Sequence, residues 1–388
     1  MADMSTRALH EAERILAETF GGEIRLGEGE SLGGSARSLV QRFPVVEGPQ
    51  SAPASVIVKE SAHHQFDPAS ADDSTWRFFN DWASVQFLDE LAPQPPLVPA
   101  LYGGSRETGL VVLEDVPSSV RLDHLLLGTD REAAQAGLLA YAEVHGRLHA
   151  LAAERHAEYL RTRRRLGAAE SVNPYYTYRW LPAALHAVTT LLDARILPGA
   201  GDELDLVANE LVHPGPFLTL VQSDAAPDNI LYDGATWRMI DFEGAHYTHA
   251  LLEGAYCRMP FPTCWCVYRL PAALVERMEA VYRAELARGC PAAVDDRQFY
   301  RGVVGACVAW ALNFHHMIRP LEKMLEQDRA LVALTDRQRF LLYLHAAISA
   351  AETFDHLPAV AGTLRACAGR LAEQWPEAAD PPYYPAFR

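Results

Sequence analysis

The sequence has no long apolar run. No stretch reaches the ~18 consecutive apolar residues that a membrane-spanning helix needs, although hydrophobic residues make up 49% of the chain. Positive charge is also short: 34 Lys and Arg stand against 50 Asp and Glu, for a formal net charge of −16. A nucleic-acid binder presents a basic face, so this balance argues against such a partner and suits a cationic small molecule. The one basic run, Arg161 to Arg165, reads as a solvated helix surface. Cysteine is sparse. Cys257, Cys264, Cys266, Cys290, Cys307 and Cys367 do not form a disulfide framework, and a chain of 388 residues does not need one. No histidines complete a zinc pattern around Cys264-Trp265-Cys266, so these read as buried or pocket-lining thiols. Residues Met1 to Leu16 carry Asp3, Glu11 and Glu13 and lack an apolar core, so they do not read as a signal peptide. The expected location is the cytoplasm, with neither membrane nor nucleic acid as partner.

What is present has a clear order. Ser5 to Phe20 reads as an amphipathic helix, capped by Ser5, with Leu9, Ala12, Leu16 and Phe20 on one stripe and Gly21-Gly22 as its stop. Strand patterns come next over Ile24 to Leu32 and Ala36 to Val46, flanking the turn Gly33-Gly34-Ser35. The run Ser55 to Val58 ends in Lys59-Glu60. A helix over Ser74 to Leu91 is capped by Asp73 or Ser74 and stopped by Pro93. Short strands are expected at Leu97 to Tyr102 and Gly109 to Leu113. After Pro117 helical patterns dominate: Arg131 to Ala153, Tyr178 to Ala194, Pro271 to Ala287, Arg297 to Met317 and Asp336 to Phe354. A strand-rich island at Phe217 to Phe242 interrupts them. This order predicts an α+β protein of two lobes, residues 1–115 and 116–388.

The strongest chemical signal is Val221-Gln222-Ser223-Asp224-Ala225-Ala226-Pro227-Asp228-Asn229-Ile230-Leu231. It places an Asp and an Asn five residues apart in a loop between apolar segments. Twelve residues after Asn229 comes Asp241, in Met239-Ile240-Asp241-Phe242-Glu243 at a strand end. Phosphoryl transfer needs a carboxylate to receive the acceptor hydroxyl proton and oxygen ligands to hold Mg²⁺ on the triphosphate. Asp224 suits the first task, and Asn229 and Asp241 suit the second. Any one of these Asp residues alone would read as turn chemistry, but the joint spacing is more specific.

This segment resembles the H-G-D-x-x-x-x-N loop and following metal-binding Asp of the aminoglycoside phosphotransferase and choline kinase superfamily. The resemblance implies a two-lobed protein-kinase-like fold, with a small antiparallel-sheet N-lobe and a larger, mainly helical C-lobe. It further implies ATP and Mg²⁺ as cofactors, Asp224 as catalytic base, and Asn229 and Asp241 as magnesium ligands. The usual His-Gly is Gln222-Ser223 here, and Gln222 would brace the loop. Glu253 lies where the family often has an Asp supporting the loop from below. His149 matches a structural family histidine.

The N-terminal third fits the same resemblance. Lys59 closes an apolar strand, and Asp81 falls within the stripe Phe78, Trp82, Val85, Leu88 of the next helix. A carboxylate on a buried face needs a cation, and Lys59 is the natural one. The pair looks like the kinase lysine and its helical acid. That acid is commonly Glu, so the shorter Asp81 implies a looser pair or a closer helix. Gly33, Gly34 and Ser35 match the family's nucleotide loop, whose backbone N–H groups approach phosphates. They form no Walker A motif, since no G-K-[ST] comes after them. The backbone from Glu114 to Val116 resembles the hinge that pairs with adenine. Phe261, Trp265 and Tyr268 sit on a proline-broken aromatic segment that lines the acceptor pocket or, alternatively, is a buried connector. The arginine of H-R-D, the glycine of D-F-G and an A-P-E segment are missing, which argues against a protein kinase. The expected activity is transfer of the γ-phosphate of ATP to a hydroxyl of a small, cationic or neutral molecule: an aminoglycoside-like antibiotic, an amino alcohol or a sugar. The alternative is a catalytically silent nucleotide-binding protein of the same fold.

Overall fold

The computed structural model of the chain describes residues 4, 6–34, 38–61, 66–70, 72–116, 119–168, 177–330 and 332–388. Ser5, Ser35, Ala36 and Pro117 lie outside the described residues. From the N-terminus run α1 (Thr6–Phe20), β1 (Arg25–Leu26), β2 (Glu30–Gly34), β3 (Ser38–Glu47), β4 (Ser55–Ser61), α2 (Asp73–Glu90), β5 (Leu101–Ser105) and β6 (Leu110–Glu114). Then come β7 (Val120–Arg121), α3 (Leu122–Leu127), α4 (Arg131–Ala152), α5 (His156–Arg165), α6 (Leu181–Leu191) and α7 (Ala200–Val212). The strands β8 (Leu218–Val221), β9 (Ile230–Tyr232), β10 (Trp237–Met239) and β11 (His246–His249) are next. The rest is helical: α8 (Leu251–Gly254), α9 (Ala272–Leu286), α10 (Asp296–Asn313), α11 (Leu321–Glu326), α12 (Asp336–Thr353) and α13 (Pro358–Gln374). The fold class is α+β. Among the described residues no helix is long and apolar enough to cross a membrane.

The chain divides into two compact units. The first comprises Met1–Val120, Arg155–Val172 and Leu231–His246; the second comprises Arg121–Glu154, Asn173–Ile230 and Tyr247–Arg388. A single cut between residues 115 and 116 would not place α5 and β10 with the first unit, where their packing puts them.

In the first unit an antiparallel sheet runs in the order β1-β3-β4-β6-β5, with β2 also paired to β3. Its register sets Lys59 opposite Val111 and Val58 opposite Val112. Strand side chains alternate between faces. Val56, Val58, Leu110 and Val112 therefore bury against Ala8, Ala12, Ile15 and Leu16 of α1. Each fully buried Val or Leu contributes about 1.5–3 kcal/mol. The opposite face, which carries Lys59 and Val111, packs Val111 against Phe79 and Trp82 of α2. Helix α2 begins one residue earlier than its sequence suggests. Asp72 is the cap, its carboxylate accepting the Thr75 N–H at 2.7 Å. Its buried surface is also wider than one stripe, since Phe79, Asn80, Ala83, Ser84 and Phe87 are covered too. The basic helix α5, expected only as a solvated surface, packs on α2 and supplies that cover: Tyr159 stacks edge-on to Phe87 and meets the Ser84 hydroxyl at 3.2 Å.

The second unit is built on helices. α4 crosses α9 closely, and Gly146 permits it: a Cβ there would stand 2.7 Å from the Tyr282 carbonyl oxygen and the Glu285 Cβ. α10, α12 and α13 pack in succession. Two helices deviate from expectation. α6 starts at Leu181 rather than Tyr178, because Pro182 belongs in a first turn, where its missing N–H costs nothing. α10 ends at Asn313 and widens into a π turn over Phe314–Ile318. α7 and α13 fall in stretches where no helix was expected.

Candidate active site

Strand alternation places Lys59 on the α2 face of its sheet, and α2 brings Asp81 to it. Lys59 Nζ lies 2.8 Å from Asp81 Oδ2 and 2.8 Å from Asp241 Oδ1. Burial acts to lower the ammonium pKa, but the two carboxylates outweigh it and hold Lys59 above the ordinary lysine value, fully charged. The shorter acid does not loosen the pair. Asp81 also accepts the Phe242 N–H on Oδ1 at 2.7 Å. One carboxylate thus fixes both the lysine and the turn that carries Asp241.

That turn needs fixing, because Asp241 has φ +63, in the left-handed region that few non-glycine residues occupy. Phe242 anchors it in the core with no exposure. Arg77 and Asn80, which precede Asp81 by one helical turn and one residue, hold Glu243 beyond it. Asn80 Nδ2 donates to the Glu243 carbonyl at 3.2 Å, and Arg77 pairs with the Glu243 carboxylate at 3.4 Å. Neither residue was singled out from sequence, although their i, i+3, i+4 spacing with Asp81 puts all three on one helix face. A second overlooked signal is composition: Lys59 and Lys323 are the chain's two lysines, all other long cationic side chains being arginine.

Gly33 and Gly34 are strand residues at the end of β2, paired with Val40 and Leu39 across a register shift, rather than the turn itself. Gly33 has φ +107 and faces open space, a conformation a side chain would resist. At the expected hinge, the Glu114 N–H is already bound to the Ala100 carbonyl at 2.8 Å. The Glu114 side chain accepts the Ala100 N–H at 3.0 Å and pairs with Arg238. Asp115 binds Arg42 and the Ser55 hydroxyl, and Val116 is buried.

In the second unit, β8 leads into the loop that carries Asp224. Asn229 Nδ2 donates to the Asp224 carbonyl at 2.9 Å and approaches its Oδ2 at 3.4 Å. With its nitrogen so used, Asn229 has its carbonyl Oδ1 to offer as a hard ligand. Helix α4 supports the loop at three successive turns. Tyr141 donates its hydroxyl to the Ala225 carbonyl at 2.7 Å. His145 Nε2 meets the buried Gln222 side chain at 3.3 Å. His149 Nε2 lies 2.9 Å from Glu253 Oε2, and its Nδ1 lies 2.8 Å from the Tyr282 hydroxyl. Burial lowers the pKa of His145, which is therefore a neutral imidazole at physiological pH. Glu253 accepts the Ser223 N–H on its other oxygen. Burial pushes Glu253 up, but the His149 hydrogen bond leads the interactions that overturn this, and its pKa ends below the usual carboxylate range. Ser223 has φ +74. That backbone explains why the resembling loop carries glycine there, and the Glu253 contact holds the serine in place. Tyr141, His145 and Tyr282 were not anticipated; the 141, 145, 149 spacing on a helix is the signal that exposes the first two.

The aromatic segment after this loop divides. Phe261 is not a pocket wall: it is wholly buried, with φ +44, against Tyr141 and Tyr384 at ring-centroid distances of 5.2 and 6.4 Å. Trp265 is 40% exposed, and its Nε1 donates to Asp228 Oδ2 at 3.0 Å. Tyr268 is half-buried and packs edge-on to Tyr384. All six cysteines are buried and free.

Each unit carries an oxygen donor of the kind a hard cation takes. In the first unit Asp241 keeps Oδ2 beyond its Lys59 contact and is 35% exposed at the side chain. In the second unit the Asn229 amide leaves its oxygen open. Both are oxygen ligands of the kind Mg²⁺ takes alongside phosphate oxygens. Among the described residues no three His, Cys, Asp or Glu side chains group to hold a metal by themselves.

No curated protein matches the sequence. Among solved structures the chain is similar to a choline/ethanolamine kinase family protein from Mesorhizobium loti, at 15% identity over 93% of this chain and 99% of that one, with a TM-score of 0.42. It is similar to choline kinase LicA from Streptococcus pneumoniae at 13% identity, over 88% and 99% of the two chains, with a TM-score of 0.42. It is similar to the ADP-bound aminoglycoside phosphotransferase APH(2'')-Ib at 12% identity, over 89% and 98%, with a TM-score of 0.45. Identities this low say nothing of an acceptor. The family model described as the phosphotransferase enzyme family, APH, matches residues 83–291, more than half of the chain and the whole stretch from Asp224 to Asp241. The chain belongs to the phosphotransferase enzyme family.

Proposed function

We propose that this phosphotransferase is an ATP- and magnesium-dependent kinase that moves the γ-phosphate to a hydroxyl of a small molecule. The observation that carries the reading is the Asp224 loop. Its base candidate and its Asn229 ligand candidate are locked to each other at 2.9 Å and supported by α4 and Glu253. Asp224 takes the proton of the acceptor hydroxyl as the hydroxyl oxygen bonds to the γ-phosphorus and the bond from that phosphorus to the β–γ bridging oxygen breaks, releasing ADP. Lys59, held charged by Asp81, meets the nucleotide phosphates. Asn229 and Asp241 are the residues that would hold magnesium, which when bound neutralises phosphate charge. Gly33, Gly34 and Ser35 serve the phosphates through backbone N–H groups, and the backbone from Asp115 to Val116 serves adenine. Gln222 and Glu253 position the loop without touching substrate. On this reading residues 1–115 carry the lysine and the glycine loop of the nucleotide site, residues 116–388 carry the base and the acceptor site, and the protein works in the cytoplasm.

The acceptor is proposed to be cationic, an amino alcohol or aminoglycoside-like amine, met by the exposed face of Trp265 with Tyr268 beside it. An aromatic face attracts an ammonium group, and the chain's acidity favours the same sign. The test is an ATP-consumption screen against hydroxyl-bearing amines, sugars and antibiotics, with Asp224→Asn as control. Turnover by wild type and not by the variant supports the reading. ATP binding with no turnover on any acceptor marks a silent nucleotide-binding protein instead.

A further inference from the structure

Cys264 and Cys266 flank Trp265 on a surface segment whose side chains alternate. Thr263 and Trp265 are exposed, whereas Cys264 and Cys266 turn inward at 2% and 0% exposure. The sulfurs stand 3.1 Å apart, and the Cys266 N–H reaches Cys264 Sγ at 3.2 Å. A disulfide bond is about 2.05 Å long, so the pair is two thiols in contact, about 1 Å short of bonding. Arg339, itself buried, donates from Nη2 to the carbonyls of Pro262 at 3.2 Å and Cys264 at 3.0 Å. The backbone is thus pinned at Pro262 and Cys264, on the N-terminal side of Trp265. Trp265 in turn is the residue that donates to Asp228, the neighbour of Asn229.

We propose that Cys264 and Cys266 form a thiol–disulfide pair oxidised by low-molecular-weight disulfides, and that closing it withdraws Trp265 from Asp228. One protein thiolate attacks a sulfur of the oxidant, forming a mixed disulfide and releasing one thiol. The second thiolate then attacks the protein sulfur of that mixed disulfide, closing the Cys264–Cys266 bond and releasing the second thiol. Two electrons and two thiol protons leave the protein, and the oxidant is reduced to two thiols. Contact with Cys266, then burial, pushes the Cys264 thiol up, so the folded segment is a poor nucleophile until it opens. Because the ring spans a single residue, drawing the sulfurs together rotates the Trp265 backbone while Arg339 holds Cys264. Formation of the bond does not depend on the phosphotransfer reading.

The experiment incubates the full-length protein with oxidised glutathione at graded ratios to reduced glutathione, then alkylates, digests and weighs the peptides. The expected result is that the peptide containing both residues loses two hydrogens and escapes alkylation, and that dithiothreitol reverses this. Cys264→Ser and Cys266→Ser should instead retain glutathione on the remaining thiol. A wild-type peptide alkylated at both sulfurs at every ratio overturns the proposal, whether or not the variants fold. So does a wild-type peptide that stays glutathionylated as the single variants do. The Trp265 consequence is read by fluorescence: oxidation should change the emission of wild type and leave Trp265→Phe unchanged, and equal changes in both would sink the coupling.

Discussion

Asp81 holds Lys59 and Phe242 at once, with Oδ2 2.8 Å from the ammonium and Oδ1 2.7 Å from the peptide N–H. The lysine and the turn after β10 are therefore fixed by one side chain 7% exposed. Asp81→Ala should destabilise the protein by about 2–4 kcal/mol, since it leaves a buried N–H unsatisfied and strips a partly buried cation of one partner. Asp81→Asn keeps an acceptor for Phe242 and should cost less. Urea denaturation compares the two, and equal costs would mean that the peptide contact contributes nothing.

Lysine scarcity offers a direct probe. Lys59 has a side chain 16% exposed and Lys323 one 58% exposed, and the chain has no other lysine. An amine-directed acylating reagent acts on the neutral amine, so it should modify exposed Lys323 readily and Lys59, held charged by Asp81 and Asp241, slowly but measurably. Magnesium and ATP together should protect Lys59 and leave Lys323 unaffected. Peptide mass spectrometry gives both yields in one sample, and a Lys59 yield insensitive to nucleotide would remove it from the phosphate site.

Asp224→Asn should cut turnover by roughly 10²–10⁴-fold, the usual share of a general acid–base group. The isosteric amide can still accept the contact Asn229 makes at 3.4 Å, so folding and nucleotide affinity should hold. Near wild-type turnover would show that another group takes the proton.

Trp265→Ala should raise the acceptor KM roughly tenfold, about 1.4 kcal/mol, with little change in nucleotide affinity. Trp265→Phe keeps a ring and deletes the N–H that Asp228 accepts. If Phe restores KM, the ring face binds the acceptor; if it behaves as Ala, the Asp228 contact is what matters. Steady-state kinetics with each substrate varied in turn separates these, and a loss confined to nucleotide affinity would place the acceptor elsewhere.

His249 gives a pH prediction. Burial drives its pKa down to about 4, and its Nδ1 accepts the Leu251 N–H at 3.2 Å, so it folds neutral. The unfolded chain binds a proton there near pH 6.5 and the folded chain does not until about pH 4. Stability from this group is full above pH 6.5 and falls as pH drops toward 4, by about 3 kcal/mol in all. His249→Gln should flatten the pH dependence of the urea midpoint across that window. An unchanged slope would assign the acid sensitivity to other groups, His145 first among them.

Much of this architecture is legible in the sequence because the rules involved are short-range. Period-two alternation puts Lys59 on the face opposite Val56 and Val58, and β4 runs as that pattern requires. Asp224 and Asn229 meet because they stand only five residues apart within one turn. Helix α2 is readable to within a residue at each end from its cap and its proline stop. What local windows miss is what the far chain covers. The buried width of α2 depends on α5, some seventy residues on, and Phe261 is core because Tyr384 at the chain end packs against it.

The sequence by itself determined which chemical groups this protein owns: one strand-end lysine, an aspartate and an asparagine in a loop, a carboxylate after a strand. Only the tertiary structure decided how they are held. Asp81 reaches Phe242 across 161 residues and Lys59 reaches Asp241 across 182, separations at which no pattern of neighbours specifies a partner. The left-handed backbones of Ser223 and Asp241 likewise have no local cause. They are held where Glu253 and Asp81, carboxylates buried by other elements, accept the N–H groups of Ser223 and Phe242.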